Sequence, residues 1–151
     1  MQPLYLKDSV LTIAAADYQA EVSAVTFEPS TSTATWKGLT PDAVFTQTAN
    51  ATWVVTLVFA QDWDDPNSLG VYLFSNEGTQ VTMTFEPLAG GAGFTADVVI
   101  TPGAVGGAVD GFAESTVSLP VQGKPTYVPP VLAAVAAVAA DPDTDTDTDT
   151  D

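Results

Sequence analysis

The sequence predicts a mainly β fold, a sandwich or barrel that carries one helix. Three observations carry this reading. β-Branched and aromatic residues alternate with polar ones along most of the chain, clusters of Gly, Pro, Asn and Asp interrupt them every ten or so residues, and one stretch alone has a helical period. With 151 residues and 46% hydrophobic content, the chain has the size of one domain with a sizeable core.

The strongest element is residues 51–60. Trp53, Val55, Leu57 and Phe59 recur at every second position while Thr52 and Thr56 stand on the opposite face, the period of a strand packed on a core. Asp64, Asp65 and Pro66 then turn the chain. Residues 67–76 read as a short helix with Leu69, Tyr72 and Leu73 at i, i+3 and i+4. Asp65 or Asn67 is placed to cap it and Gly78 to end it.

Upstream, residues 9–16 and 18–28 read as two strands. In the second, Val25 and Phe27 share a face with Glu21 and Ser23. Either that strand is core-facing at one end and wet or subunit-facing at the other, or it begins a residue or two later. Residues 29–50 are polar and Thr-rich, with Trp36 beside Lys37 and a turn bounded by Gly38 and Pro41. This is long for a hairpin connection, and excursions of that length tend to be binding segments or disordered ones. Trp36 argues against plain disorder; its alternative role is to cover the core from an edge strand.

Downstream, residues 79–86 alternate Val81, Met83 and Phe85 against Thr82, Thr84 and Glu86, a half-buried strand. Residues 88–93 are a Gly-rich turn without the Lys-Ser/Thr ending of a phosphate loop. Residues 94–101 set Phe94, Ala96, Val98 and Ile100 against Thr95, Asp97 and Val99, and residues 114–121 set Val117, Leu119 and Val121 against Glu114, Thr116 and Ser118. The apolar run 131–140 is about half the ~20 residues that cross a bilayer, so it reads as a tethered, weakly helical appendage and not a membrane anchor. The Asp-Thr repeat of 141–151 repels itself and is predicted disordered.

Charge and composition exclude several function classes. Three Lys, no Arg and 19 acidic residues give −16, the wrong sign for holding nucleic acid by its phosphates. Six of those charges lie in residues 141–151, so the remainder is itself acidic at −10. The absence of His, Cys and Arg removes catalytic triads, thiol nucleophiles, imidazole metal sites, disulfides and bidentate phosphate clamps. No cofactor is implied. Asp62, Asp64 and Asp65 offer oxygen ligands to calcium, but they lack the spacing and glutamate of an EF-hand loop, and a structural turn is the preferred reading. No two acids are nominated as a glycosidase pair. Asn50-Ala51-Thr52 matches a glycosylation triplet, which chance explains, since no secretion signal is visible at the N-terminus.

Residues 35–41 (Thr-Trp-Lys-Gly-Leu-Thr-Pro), Thr52-Trp53 through Phe59, Asp62-Trp63 and Ser68-Leu69, in this order, resemble the tail tube (major tail) proteins of long-tailed, siphovirus-type bacteriophages. Residues 94–100, Gly106-Gly107 and residues 116–125 continue the likeness, which covers residues 1–128. Residues 129–151, the Ala/Val appendage and acidic tail, have no counterpart. The resemblance implies a non-enzymatic virion protein with a β-sandwich or half-barrel and one flanking helix. Hexameric rings join their inner sheets into a barrel and stack into a tube, assembled in the host cytoplasm. It implies that the loop carrying Trp36, Lys37 and Leu39 reaches an adjacent ring. Other tail proteins, such as tape measure and terminator proteins, would be its partners. If the polar faces of the late strands line the lumen, Asp97, Glu114, Thr95, Thr116 and Ser118 are the lumen-facing candidates, past which DNA moves during ejection without specific binding. The rival class is a secreted or surface β-sandwich binding module from a salt-adapted organism, since high acid and low Lys also suit high salt. The missing export signal weighs against it, and self-assembly into rings would separate the two.

Overall fold

Alternation and turn chemistry translate into nine strands and one helix in the computed structural model, which describes residues 1–130. The readings made for the Ala/Val run and the Asp-Thr repeat lie outside the described residues. The elements are β1 (Val10–Ile13), β2 (Ala16–Asp17), β3 (Val22–Ser30), β4 (Thr33–Lys37), β5 (Val44–Thr48), β6 (Thr52–Ala60), α1 (Leu69–Ser75), β7 (Gln80–Glu86), β8 (Gly93–Val99) and β9 (Glu114–Val128). Seven strands form one antiparallel sheet in the order β2-β1-β7-β8-β9-β6-β3, and β4 and β5 form a separate two-stranded sheet.

The long strand β9 joins the two halves of the large sheet. Up to Pro120 it pairs with β6, and from Val121 it pairs with β8. Proline has no amide hydrogen to give a ladder, and Pro120 stands where β9 changes partner, so the loss falls at the junction. The two halves then face each other across one core. Leu11, Ile13, Met83 and Val98 come from one half, Val55, Leu57 and Phe59 from the other, and Leu69 and Leu73 from the helix, all buried. Each such side chain contributes about 1.5–3 kcal/mol when fully withdrawn from water. Phe27 of β3 lies 6.3 Å from Phe85 and 6.1 Å from Phe94, centroid to centroid, although β3 and β7 stand far apart in the strand order. The result is the predicted sandwich with one helix; β2 and β3 remain as edges, and the single chain closes no barrel.

The mixed face read for residues 18–28 has two local causes: the strand begins only at Val22, later than either reading placed it, so Glu21 precedes it, and it carries a bulge. Val22 pairs with Phe59 but Ala24 pairs with Val58, so a bulge at Ser23 puts two residues of β3 opposite one of β6. The bulge resets the alternation, and Val22, Val25 and Phe27 all pack against the core. Residues 9–16, read as one strand, are instead a hairpin, β1 turning into β2 at Ala14 and Ala15 with φ of 51° and 66°.

The helix begins later than its periodicity predicts. Ser68 is the N-cap; its hydroxyl accepts from the Val71 amide at 3.4 Å and donates to the Asp62 carbonyl. Asp65 caps the preceding turn instead, its carboxylate accepting from the Asn67 amide at 2.9 Å. Asn76 closes the helix, and Gly78, at φ +81°, follows it into β7.

Candidate functional site

Two surfaces stand out, and the first is the β4–β5 hairpin. Its ten strand residues are all exposed, so the segment read as a long polar excursion is an arm held by its own backbone ladder. The arm springs from the end of β3, where the Ala49 amide donates to the Ser32 carbonyl at 2.8 Å. Trp36 and Phe45 are directly paired, with ring centroids 5.7 Å apart, yet remain 62% and 63% exposed. Trp36 therefore covers its cross-strand neighbour and not the core. Gly38 begins the tip, where a Cβ would lie 2.7 Å from that of Ala43 and 3.2 Å from the Trp36 ring. Lys37 and Leu39 flank it, both exposed. Phe45 shares a face of the ladder with Trp36, and Val44 shares the other with Lys37; the sequence reading missed both because Thr and Gln surround them.

The second surface is the outward face of the large sheet. Even-numbered residues of β9 from Glu114 to Pro120 point away from the core, which places Glu114, Thr116 and Ser118 in one exposed row. Asp97 on β8 pairs with Gln122 farther along the same strand, and its carboxylate accepts from the Thr82 hydroxyl at 2.9 Å. Thr95 is half-buried, its hydroxyl 3.4 Å from that of Thr84. All five residues thus point away from the core, Glu114, Thr116 and Ser118 on the half that β9 shares with β6, and Thr95 and Asp97 on the half that it shares with β8. They do not converge on one spot, since Glu114 is eight residues from Gln122, about 26 Å at strand rise. The outward side carries two further threonine–carboxylate pairs, one on each half, Thr56 with Glu28 at 3.4 Å and Thr12 with Asp17 at 3.2 Å.

Asp62, Asp64 and Asp65 lie together in the turn before the helix. One carboxylate oxygen of Asp62 accepts from the Asp64 and Asp65 amides at 3.1 and 3.3 Å, the geometry of a turn held by its first side chain. Among the described residues, no three His, Cys, Asp or Glu side chains come together as a metal site. The clefts are open; one of 370 Å³ lies between residues 6–9, ahead of β1, and the bulged start of β3, with Ser9, Val22 and Phe85 on its walls. A further organiser, Gln61, carries no sequence signal, because a single glutamine after a strand resembles any other loop residue. Its carboxamide donates to the Gly106 and Glu114 carbonyls at 2.9 and 3.0 Å and accepts from the Gly106 amide and the Trp63 indole at 2.9 and 3.1 Å.

No protein-family model matches the chain, and no curated protein matches it. Among solved structures, the fold is similar to a chain of the cryo-EM structure of an extracellular contractile injection system, the PVC sheath/tube terminator in its extended state. The TM-score is 0.61 at 11% identity, over 84% of this chain and 97% of that one. At that identity the two share a fold.

Proposed function

We propose that this chain is a non-enzymatic structural protein of a phage-type tail, whose hexameric rings stack into a tail tube with an acidic lumen. The observation that carries this is the β4–β5 arm. A ten-residue ladder that buries nothing on its own core, yet aligns Trp36, Phe45 and Leu39 in water, is built for a surface outside the chain. Fold likeness to a sheath/tube terminator chain supports a tail setting. In this reading the arm, through Trp36, Lys37 and Leu39, contacts the adjacent ring, and the free edges β2 and β3 meet neighbours within the ring. Asp97 and Glu114, with Thr95, Thr116 and Ser118, face the channel and repel the passing duplex.

The same likeness favours a second reading, in which the ring ends a tube instead of extending it. Electron microscopy of concentrated protein separates the two and tests both. Stacked tubes support the tube reading, isolated rings the terminator reading, and a field of monomers under all assembly conditions rejects both in favour of a monomeric binding module.

A further inference from the structure

We propose that the end of the sandwich at Phe27, Phe94 and Tyr127 is the seat for the chain's own residues 131–140, an inference that goes beyond the tail reading and concerns the single chain. Phe94, near the start of β8, pairs with Phe85 on one side and with Tyr127, near the end of β9, on the other. Directly paired residues share a face of the sheet, and Phe85 is a core residue, so all three rings stand on the core side. Phe85 is only 7% exposed, whereas Phe94 and Tyr127 are 38% and 58% exposed. Phe27, from the facing half, lies 6.1 Å from Phe94, and Tyr127 lies 5.9 Å from Phe94. The last rings of the core are therefore left in water.

This end carries little to hold a polar ligand. Glu28 and Glu86 follow Phe27 and Phe85 in sequence, yet their carboxylates accept from the Thr56 hydroxyl and the Gly90 amide, both at 3.4 Å. The rings of Phe27, Phe94 and Tyr127 carry one polar atom between them, the Tyr127 hydroxyl. A scattered exposed ring needs no explanation, but stacked core-side rings without cover mark a contact surface.

Position and composition select the occupant. Tyr127 is followed by Val128, Pro129 and Pro130, and then by ten residues of Val, Leu and Ala without a polar side chain. Val128 is 41% exposed, so the apolar surface continues to the point where the run begins. A segment tied this closely is present at an effective concentration on the order of millimolar. A second copy has no such tether and brings −16 against −16. In sequence, Val131, Val135 and Val138 stand at i, i+4 and i+7 with Leu132 beside them, one branched stripe against alanine. Ten residues at helical rise reach about 15 Å, enough to cross three rings whose successive centroids are 6.1 and 5.9 Å apart. The six acids of residues 141–151 then end the seat, because a carboxylate does not leave water unpaired.

The test places photoreactive benzoylphenylalanine at Val135 in the full chain, irradiated in dilute solution. Cross-links to residues 26–28 and 92–95 are expected, in a product that keeps the monomer mass. Adding Leu132→Asp with Val138→Asp is expected to cut their yield about tenfold. Binding of the neutral apolar dye Nile red gives an independent sign. Without the photoreactive residue, the same pair of Asp substitutions is expected to raise dye fluorescence, since it uncovers Phe27, Phe94 and Tyr127. If the run did not cover the rings, the substitutions would only remove apolar side chains and fluorescence would fall. Cross-links confined to other parts of the chain, no cross-link, a product of twice the monomer mass, or a fall in dye fluorescence would overturn the inference.

Discussion

The Glu21 carboxylate accepts a hydrogen bond from the Leu69 amide at 2.7 Å, across 48 residues of sequence. It brings a negative side chain from the residue before β3 to the first turn of α1, where amide hydrogens lack helical partners and the helix dipole favours an anion. Glu21→Ala is expected to cost about 1 kcal/mol, in the range of a lost helix cap. The corresponding fall in Tm is about 2–4 °C by thermal circular dichroism. Glu21→Gln, which keeps an acceptor oxygen, is expected to lose less. An unchanged Tm in the alanine variant would show that the contact carries no stability.

A second expectation concerns the β1–β2 turn. Ala14 and Ala15 both sit at positive φ, as the turn type of a two-residue hairpin requires, and alanine pays roughly 1–2 kcal/mol for that region. Ala14→Asn with Ala15→Gly is expected to raise stability by about 1–2 kcal/mol in denaturant titration. A loss of stability would mean that the turn does not hold these angles in solution.

The same turn illustrates what the sequence conceals. Strands β6, β7 and the first half of β9, with the helix's Leu69 and Leu73, were legible because one buried face enforces a strict period. The β1–β2 hairpin was not, since Ala-Ala carries no turn signal and its strain is offset by the pairing on either side. The bulge at Ser23 was hidden because one extra residue reverses the alternation without changing composition. The arm was legible as something unusual through Trp36, but not as a ladder, because strands exposed on both faces have no apolar period. The outward face of Asp97, Thr116 and Ser118 followed from parity alone, while the Gln61 hydrogen bonds depend on a three-dimensional encounter with Gly106 that no spacing encodes.

Alkaline stability should follow Tyr18. Burial, then the neighbouring Tyr72 and Glu21, raise its phenol above the ordinary value of 10.0. Because the folded chain holds this proton more tightly, the contribution is complete below about pH 10 and is lost as pH rises through the folded value. The urea midpoint is expected to fall more steeply above pH 10 in the parent chain than in Tyr18→Phe. Identical slopes would show that Tyr18 titrates as it does unfolded.

Core and arm should separate cleanly under mutation. Leu57 is fully buried, and Leu57→Ala is expected to cost about 2–5 kcal/mol. Trp36→Ala, at an exposed position, is expected to stay within about 1 kcal/mol of the parent while abolishing stacking. If Trp36→Ala instead unfolds the chain, the arm is part of the fold and not a contact element.

The lumen assignment has its own consequence. Asp97→Lys with Glu114→Lys is expected to leave assembly intact while making DNA adhere to the channel, so that ejection slows at low salt and recovers as salt rises. Normal low-salt ejection in well-formed particles would place these side chains on the outside.

The most direct measurement is a cryo-EM reconstruction of the assembled full-length protein. The expected result is sixfold rings stacked through the β4–β5 arms, with the outward face of β8 and β9, carrying Asp97 and Thr116, turned to the channel. Particles that stay single, or rings in which that face points away from the axis, would contradict it.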